Sequence, residues 1–401
     1  MFNSLLLKLE SPDHPLLAPT LSGLKTWGIW QQNSTRRALS NAIHIAAIIF
    51  VLSQYIELWI IRDDLDLALR NLSVTMLSSV CVVKAGTFVI WHQRWTHVVE
   101  YVSAQEKTQL SQKDKRTNEV IDEYTKYARR VTYFYWTLVA ATVVTVILAP
   151  LAGFLSSAEN RERIRNGTAP YPEIMSSWVP FDKTQGIGYW VTVLEHTLIC
   201  FYGGGVVATY DTNAVVLMTF FAGQMRLLSV NCSRLFETVP ESSYEDEMRK
   251  IAECHRHHSL LLKYSKILNE LLSPVMFLYV IICSLMICAS AIQMTTEGTT
   301  TMQRIWLAEY LIALIAQLFL YCWHSNEVLI MSNKVEDGVY VSTWWSRGVR
   351  AQRSVLLLAA KLRRSVVFTA GPFTKLTLAT FLAVLKGSYS YYTLLISKKD
   401  N

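Results

Sequence analysis

Charge is scarce in this chain. Only 17% of its 401 residues are charged and 51% are hydrophobic, where an ordinary soluble domain carries about 25% charged residues. With a mean hydropathy of +0.24, a purely cytosolic protein is excluded and a membrane protein with sizeable loops is expected. A secretory leader is missing too. MFNSLLLKLESPDHP offers three consecutive leucines before Lys8, Glu10 and Pro12, far short of the apolar core of a signal peptide, so the first spanning helix is expected to direct insertion. The internal repeats and paired broken helices of many transporters are also lacking. No Ser/His/Asp, Cys/His or paired-carboxylate set converges on one side, so neither a catalytic site, a cofactor nor a metal is expected.

What the sequence has in quantity is long apolar runs. A spanning helix needs roughly 20 such residues at about 1.5 Å each, and seven stretches qualify: Ala38 to Ile61, Asn71 to Trp91, Val131 to Leu155, Gly188 to Phe221, Leu268 to Ile292, Ile305 to Trp323 and Leu376 to Ile396. The fourth exceeds one bilayer and is expected to project into water at its inner end. The fold class is therefore an all-α membrane protein with seven transmembrane helices and its termini on opposite sides.

Lys and Arg divide unequally between the connecting segments. The N-terminal segment and the second, fourth and sixth loops carry 4, 8, 7 and 8, whereas the first, third and fifth loops and the tail carry 2, 4, 1 and 2. Lys84 and Lys386 lie inside spans and fall in neither set. Positive charge stays inside, so the N-terminus is cytoplasmic and the C-terminus extracellular. The sequon Asn166-Gly167-Thr168 then falls outside, where glycosylation of Asn166 is expected. Two further sequons, at Asn33 and Asn231, fall on the inner side. None of the 7 cysteines lies in an outer loop, so no extracellular disulfide is expected. A net charge of +7 is accounted for by basic loops beside an anionic lipid leaflet, without nucleic acid as a partner. The orientation is inverted relative to G-protein-coupled receptors, and the last helix has no Asn-Pro-x-x-Tyr.

Two clusters look like sites and read better as structure. Cys254, His257 and His258 share a helix face at metal-ligand spacing, but with no fourth ligand nearby a solvated basic helix is expected. Gly203-Gly204-Gly205 follows a membrane helix rather than a strand, so close packing or a kink is expected rather than a phosphate loop. Ionisable Glu195, His196 and Glu309 in the outer parts of spans must pair or face water. Leu77, Ser78, Val143, Ile147, Phe154, His196, Ile199, Tyr310 and Leu314 offer apolar and aromatic groups with a few polar atoms, a lining that suits a small, largely apolar ligand. Helix packing accounts for each of them equally well.

The last helix has an uncommon face. Thr380, Ala383, Gly387, Ser390, Leu394 and Ser397 alternate by three and four, so they align on one side, and all but Leu394 are small or hydroxyl-bearing. That pattern fits a pore wall closed by one apolar ring at Leu394, and it fits tight helix packing equally. A pore with one helix per subunit requires an oligomer around an axis. Lys386 sits off this face near mid-membrane.

The stretch RSVLLLAAKLRRSVVFTAGPFTKLTLATFLAVLKGSYSYYTLL, with SNEVLIMSNKVEDGVYVSTWW upstream, resembles the C-terminal signature of the insect odorant receptor family over about residues 325 to 396. The signature is a basic leucine run, a T-A-G-x-F turn, L-x-L-x-T-F and S-Y-S-Y-[FY]-T-L-L. The resemblance implies a ligand-gated, non-selective cation channel at the plasma membrane of sensory neurons. It implies a heterotetramer in which this chain is the odorant-tuned subunit beside a co-receptor, with a small volatile odorant, membrane lipid and permeating cations as the other partners. By the same resemblance the last helix (376–401) lines the pore with Leu394 as gate, and the odorant pocket lies in the outer half of helices within 38–324. Residues 222–267 and 325–375 would form the cytoplasmic anchor, behind an N-terminal segment of residues 1–37. The 46-residue span from Ala222 to Ile267 and the S-Y-S-Y motif set the chain apart from the co-receptor itself. A metabotropic seven-helix chemoreceptor and a membrane transporter are the alternatives.

Overall fold

The computed structural model describes residues 11–31, 33–63, 65–156, 158–166, 171–184, 186–237, 244–295 and 301–399. After a short α1 (Ala18–Thr26) come α2 (Ser34–Ile60), α3 (Leu65–Ile90), α4 (His92–Ser111), α5 (Lys115–Ser156), α6 (Ala158–Arg165), α7 (Gly186–Ser233), α8 (Tyr244–Thr295) and α9 (Thr301–Asn333). The C-terminal part holds α10 (Val335–Val341), α11 (Val349–Leu362), a two-strand hairpin of β1 (Thr369–Ala370) and β2 (Thr374–Lys375), and α12 (Leu378–Lys399). Among the described residues, α2, α3, α5, α7, α8 and α9 are long and apolar enough to cross a membrane. The last helix, with 22 residues, reaches about 33 Å, which spans a hydrocarbon core of about 30 Å. Its serines, tyrosines and Lys386 make it the least apolar of the seven.

Apolar side chains cover the outside of the bundle. On α2, Ile45, Ile49, Leu52 and Ile56 are exposed, as are Phe134 and Leu148 on α5 and Trp190, Leu194 and Leu198 on α7. Water would penalise such a surface and lipid does not. The core runs along α7, which packs against α1, α3, α5, α8, α9 and α10, whereas α2 packs chiefly on α3. Glycine makes two of the α7 contacts possible. A Cβ at Gly204 would collide with Val143 of α5, and one at Gly205 with the Trp27 ring. The triple glycine thus serves close packing.

The fourth stretch is long, as expected, but it is not alone. The helices α5, α7 and α8 hold 42, 48 and 52 residues, about 63 to 78 Å, so each runs well past the inner membrane surface. The 222–267 loop is therefore mostly the inner ends of α7 and α8. Their contact corrects the expectation of a solvated helix at Cys254-His257-His258. Cys254 and His258 are buried, and His257 Nε2 lies 3.1 Å from Gln224 Oε1. Burial pulls His257 down to about 4, so it packs as a neutral ring.

The N-terminal segment also enters this inner core. Leu16, Leu17, Leu21, Leu24 and Trp30 are buried. Arg129 of α5 donates to the Leu16 and Pro15 carbonyls at 2.6 and 2.7 Å. The Leu16 N–H donates to Glu106 of α4 at 3.1 Å, and the Tyr124 hydroxyl donates to the same carboxyl at 2.8 Å. At the other end of the chain, the β-hairpin docks on α8 beside Pro274. Thr369 N–H donates to Asn269 Oδ1 at 2.8 Å and Gly371 N–H to Ser273 O at 3.1 Å. This docking sets where α12 begins.

Burial pushes the Glu106 carboxyl up to about 7 from an ordinary 4.5, against the lowering effect of its hydrogen bonds. The folded protein therefore keeps a proton that the unfolded chain releases above pH 4.5. The resulting stabilisation is fully present below about pH 4.5 and is lost as pH rises through about 7, a change of up to about 3 kcal/mol. Thermal melts of wild type and Glu106→Gln in detergent from about pH 4.5 to about 8 should show the variant gaining relative to wild type as pH rises.

A candidate ligand region above a buried polar hub

Where helices α3, α5, α7, α8 and α9 converge, one carboxylate collects four donors. Asp211 Oδ1 accepts from Lys84 Nζ and from the Tyr321 hydroxyl, both at 2.6 Å. Its Oδ2 accepts from the Tyr135 hydroxyl at 2.7 Å and from Gln317 Nε2. Gln317 Oε1 in turn accepts from the Tyr279 hydroxyl at 3.0 Å. The ammonium of Lys84 also lies 5.2 Å from the Tyr279 ring centroid and 5.7 Å from that of Tyr210. Lys84 is 0% exposed and Asp211 2%, so neither charge can be hydrated. Every lone pair of the carboxylate is met by protein instead, which is the condition for keeping an ion pair dry.

The hub sits low in the membrane. Asp211 is 25 residues from the start of α7 at Gly186, about 37 Å along the helix, and Lys84 is 6 residues from the inner end of α3. Most of the predicted ligand residues lie above it. Leu314 is one turn outward of Gln317, and its carbonyl accepts from the Tyr279 hydroxyl at 3.4 Å. Cys81 Sγ lies 3.7 Å from the Gly203 carbonyl, with Leu77 and Ile199 one turn further out on the two helices. Val143 packs on Gly204. Ser78 donates to the Val74 carbonyl within its own helix, and Ile147 and Phe154 are half-buried further along α5.

Tyr310 differs from these. It is buried, yet among the described residues its hydroxyl has no hydrogen-bond partner, and the same is true of Ser290 Oγ on the outer part of α8. A buried hydroxyl left unpaired costs about 1–3 kcal/mol, so both are suited to meet a polar atom of a ligand. His196 is placed elsewhere. Its Nε2 lies 2.8 Å from Ser177 Oγ and its ring meets Phe50 edge-on, beneath the outer segment that Lys183 fastens to Glu57 at 2.9 Å and Glu173 at 3.4 Å. A cleft of about 500 Å³ opens on the inner side among Tyr124, Tyr127, Arg130, Gly223, Trp323 and His324. None of the predicted ligand residues lines it.

The last helix turns one face inward and one away. Phe381 meets Phe319 edge-on, and Ser388 Oγ lies 3.2 Å from Ser284 Oγ, with Val384 and Leu385 packed on the core. Ala383, Ser390 and Leu394 are exposed, Leu394 by 67%, and Thr380 and Gly387 are half-exposed. A Cβ at Gly387 would meet nothing within 4 Å. The small residues therefore do not serve packing inside the protomer. Lys386, three residues after Ala383 and four before Ser390, shares their exposure and their side of the helix, which corrects the expectation that it sits off this face. The side chain of Ser397 lies outside the described residues. Asn166 is exposed at the end of α6, while Gly167 and Thr168 lie outside the described residues. Among the described residues no group of three or more His, Cys, Asp or Glu is placed to hold a metal ion.

A seven-helix bundle with its basic loops and N-terminus on the inner side, long inner helical extensions and an outwardly exposed last helix defines an inverted class of multi-pass membrane receptor. The chain matches the family described as 7tm Odorant receptor over residues 64–389 and belongs to it. Odorant receptor 82a of Drosophila melanogaster is 25% identical over 372 residues, covering 91% of this chain and 94% of that one. Odorant receptor Or2 of Anopheles gambiae is 29% identical over 146 residues, 36% of this chain and 38% of that relative. The fold is that of the insect olfactory receptor OR5 from Machilis hrabei, solved in complex with eugenol, with a TM-score of 0.78, 15% identity and coverage of 94% and 98%. The protein is thus an odorant receptor, and the metabotropic and transporter alternatives find no support.

Sequence alone marks Lys84 as a charge within a span and passes over Asp211, although a single acid and a single base at matching depth in neighbouring spans is a usable signal. Tyr279, Gln317 and Ser290 give none, because an isolated hydroxyl or amide in a membrane helix has no periodicity. Removing one partner of a buried ion pair leaves the other uncompensated, at about 3–5 kcal/mol. Lys84→Met and Asp211→Leu should each cut surface expression sharply, and the double variant should recover much of it, as read by surface biotinylation.

Proposed function

We propose that this chain is the odorant-tuned subunit of a ligand-gated, non-selective cation channel. It works beside a co-receptor in a heterotetramer at the plasma membrane of sensory neurons. The observation that carries the reading is the last helix. Phe381, Val384 and Leu385 pack on the core beside α8 and α9, while Ala383, Gly387, Ser390 and Leu394, together with Leu382, Tyr389 and Tyr391, are left facing away from the protomer. An apolar ring at Leu394 on an otherwise small-residue wall closes a path by dewetting. Exposed apolar side chains below the membrane support assembly. Leu356 and Leu357 on α11 and Phe373 in the hairpin turn, the last 89% exposed, suit an anchor between subunits.

The ligand reading rests on the outer part of the bundle. A small volatile, mostly apolar molecule would lie among Leu77, Val143, Ile147, Ile199 and Leu314, with Tyr310 donating to a carbonyl, ether or hydroxyl of the ligand. OR5 of Machilis hrabei, which shares the fold, was solved in complex with eugenol. Ligand binding favours an open arrangement by differential affinity, and the hub links the ligand region to α8 and α9, on which α12 rests. Glycosylation of Asn166 is consistent with the outer placement of its loop.

Whole-cell current in cells expressing the chain with an insect co-receptor, G-protein signalling blocked, tests the channel. An odorant-evoked current that needs both subunits and reverses near zero is expected. Loss of the current under the block would overturn the channel reading. Leu394→Ser should raise basal current without odorant. Tyr310→Phe should raise the half-maximal concentration of an oxygen-bearing odorant about 3- to 10-fold, the worth of one hydrogen bond, and leave a hydrocarbon analogue unchanged.

A further inference from the structure

Lys386 has no evident reason to be where it is. It lies eight residues after Leu378 and eight before Leu394 on α12, about 12 Å along the helix from each. An ammonium on a four-carbon stem cannot reach a membrane surface over that distance. A lysine at such depth must pair with an acid or face water.

The first resolution is not met among the described residues of the protomer. Lys386 is exposed, and among the described residues it makes no ion pair or hydrogen bond through its ammonium. The helices that hold α12 meet its opposite side, through Phe319 and Ser284. From Leu271 to Thr295, α8 has no Asp or Glu. Lys84, the other lysine in a span, illustrates the contrast, since a carboxylate and three aromatic rings enclose it. Lys386 also shares its exposed side with Ala383 and Ser390, the small residues of the proposed pore wall.

Resting on the pore reading above, we infer that Lys386 places a fixed positive charge beside the water-filled path, and that this charge makes channels containing this chain discriminate against divalent cations. Repulsion scales with ionic charge. At about 8 Å in water-like surroundings, one unit charge lowers monovalent occupancy about 2-fold and divalent occupancy about 6-fold. The ratio of calcium to caesium permeability is therefore held down by about 2-fold for each copy of the chain around the path.

The test is the bi-ionic reversal potential of odorant-evoked current in cells expressing the chain with the co-receptor. Lys386→Gln should raise the calcium-to-caesium permeability ratio about 2-fold, and Lys386→Glu about 6-fold. As a second measurement, Lys386→Cys should respond to externally applied thiosulfonate reagents during channel opening. A cationic reagent should return the ratio to the wild-type value, and an anionic one should raise it further. Unchanged selectivity in Gln and Glu variants that still pass evoked current would overturn the inference, and so would a cysteine insensitive to both reagents. A wild-type chain that passes no odorant-evoked current would instead count against the channel reading itself, so the two failures are distinct.

Discussion

The bundle is organised around one carboxylate. Asp211 is accommodated in an apolar surrounding because Lys84, Tyr135, Tyr321 and Gln317 all donate to it, and these donors come from three helices besides its own. Such a set is satisfied in one arrangement of the helices and in few others. The hub therefore fixes mutual rotation and depth where apolar packing alone, which lipid tails can imitate, would leave them loose. Above it the helices meet through apolar contacts and small residues. Below it the N-terminal segment and the inner extensions of α7 and α8 are locked by further polar contacts, including Glu106 with Leu16 and Tyr124.

The proposed division of function follows the same plane. The ligand region proposed for the outer half is rich in groups that adapt, namely aliphatic side chains and two hydroxyls, Tyr310 and Ser290, without a partner among the described residues. The inner half is rich in groups that do not. The last helix joins neither half closely, since it leans on α8 and α9 by one face and starts from a hairpin pinned to Asn269 and Ser273.

Much of this is legible in the sequence. Apolar run lengths locate the spans, basic residues give the orientation, and three-four spacing separates the faces of α12. What cannot be read are the partners of single polar residues. Lys84 and Asp211 are 127 positions apart, and nothing local in either helix announces the other. Depth alone groups His196 with a ligand lining, whereas its rotation sets it against Phe50 and Ser177. The three-four count from Thr380 passes from Ala383 to Gly387 and skips Lys386, although Lys386 is three residues after Ala383 and four before Ser390 and so shares their side of the helix.

The position of Asp211 along α7 has a mechanical consequence. About 37 Å of the helix lies outward of it and about 33 Å inward, so a rigid α7 held at the hub is a balanced lever whose ends swing by nearly equal distances in opposite directions. On α8 the same plane falls at Tyr279, with about 24 Å outward and about 52 Å inward. Pro274, five residues inward of Tyr279, interrupts the hydrogen-bond ladder of that helix, so its two arms can bend against each other at the level of the hub where α7 moves as one piece.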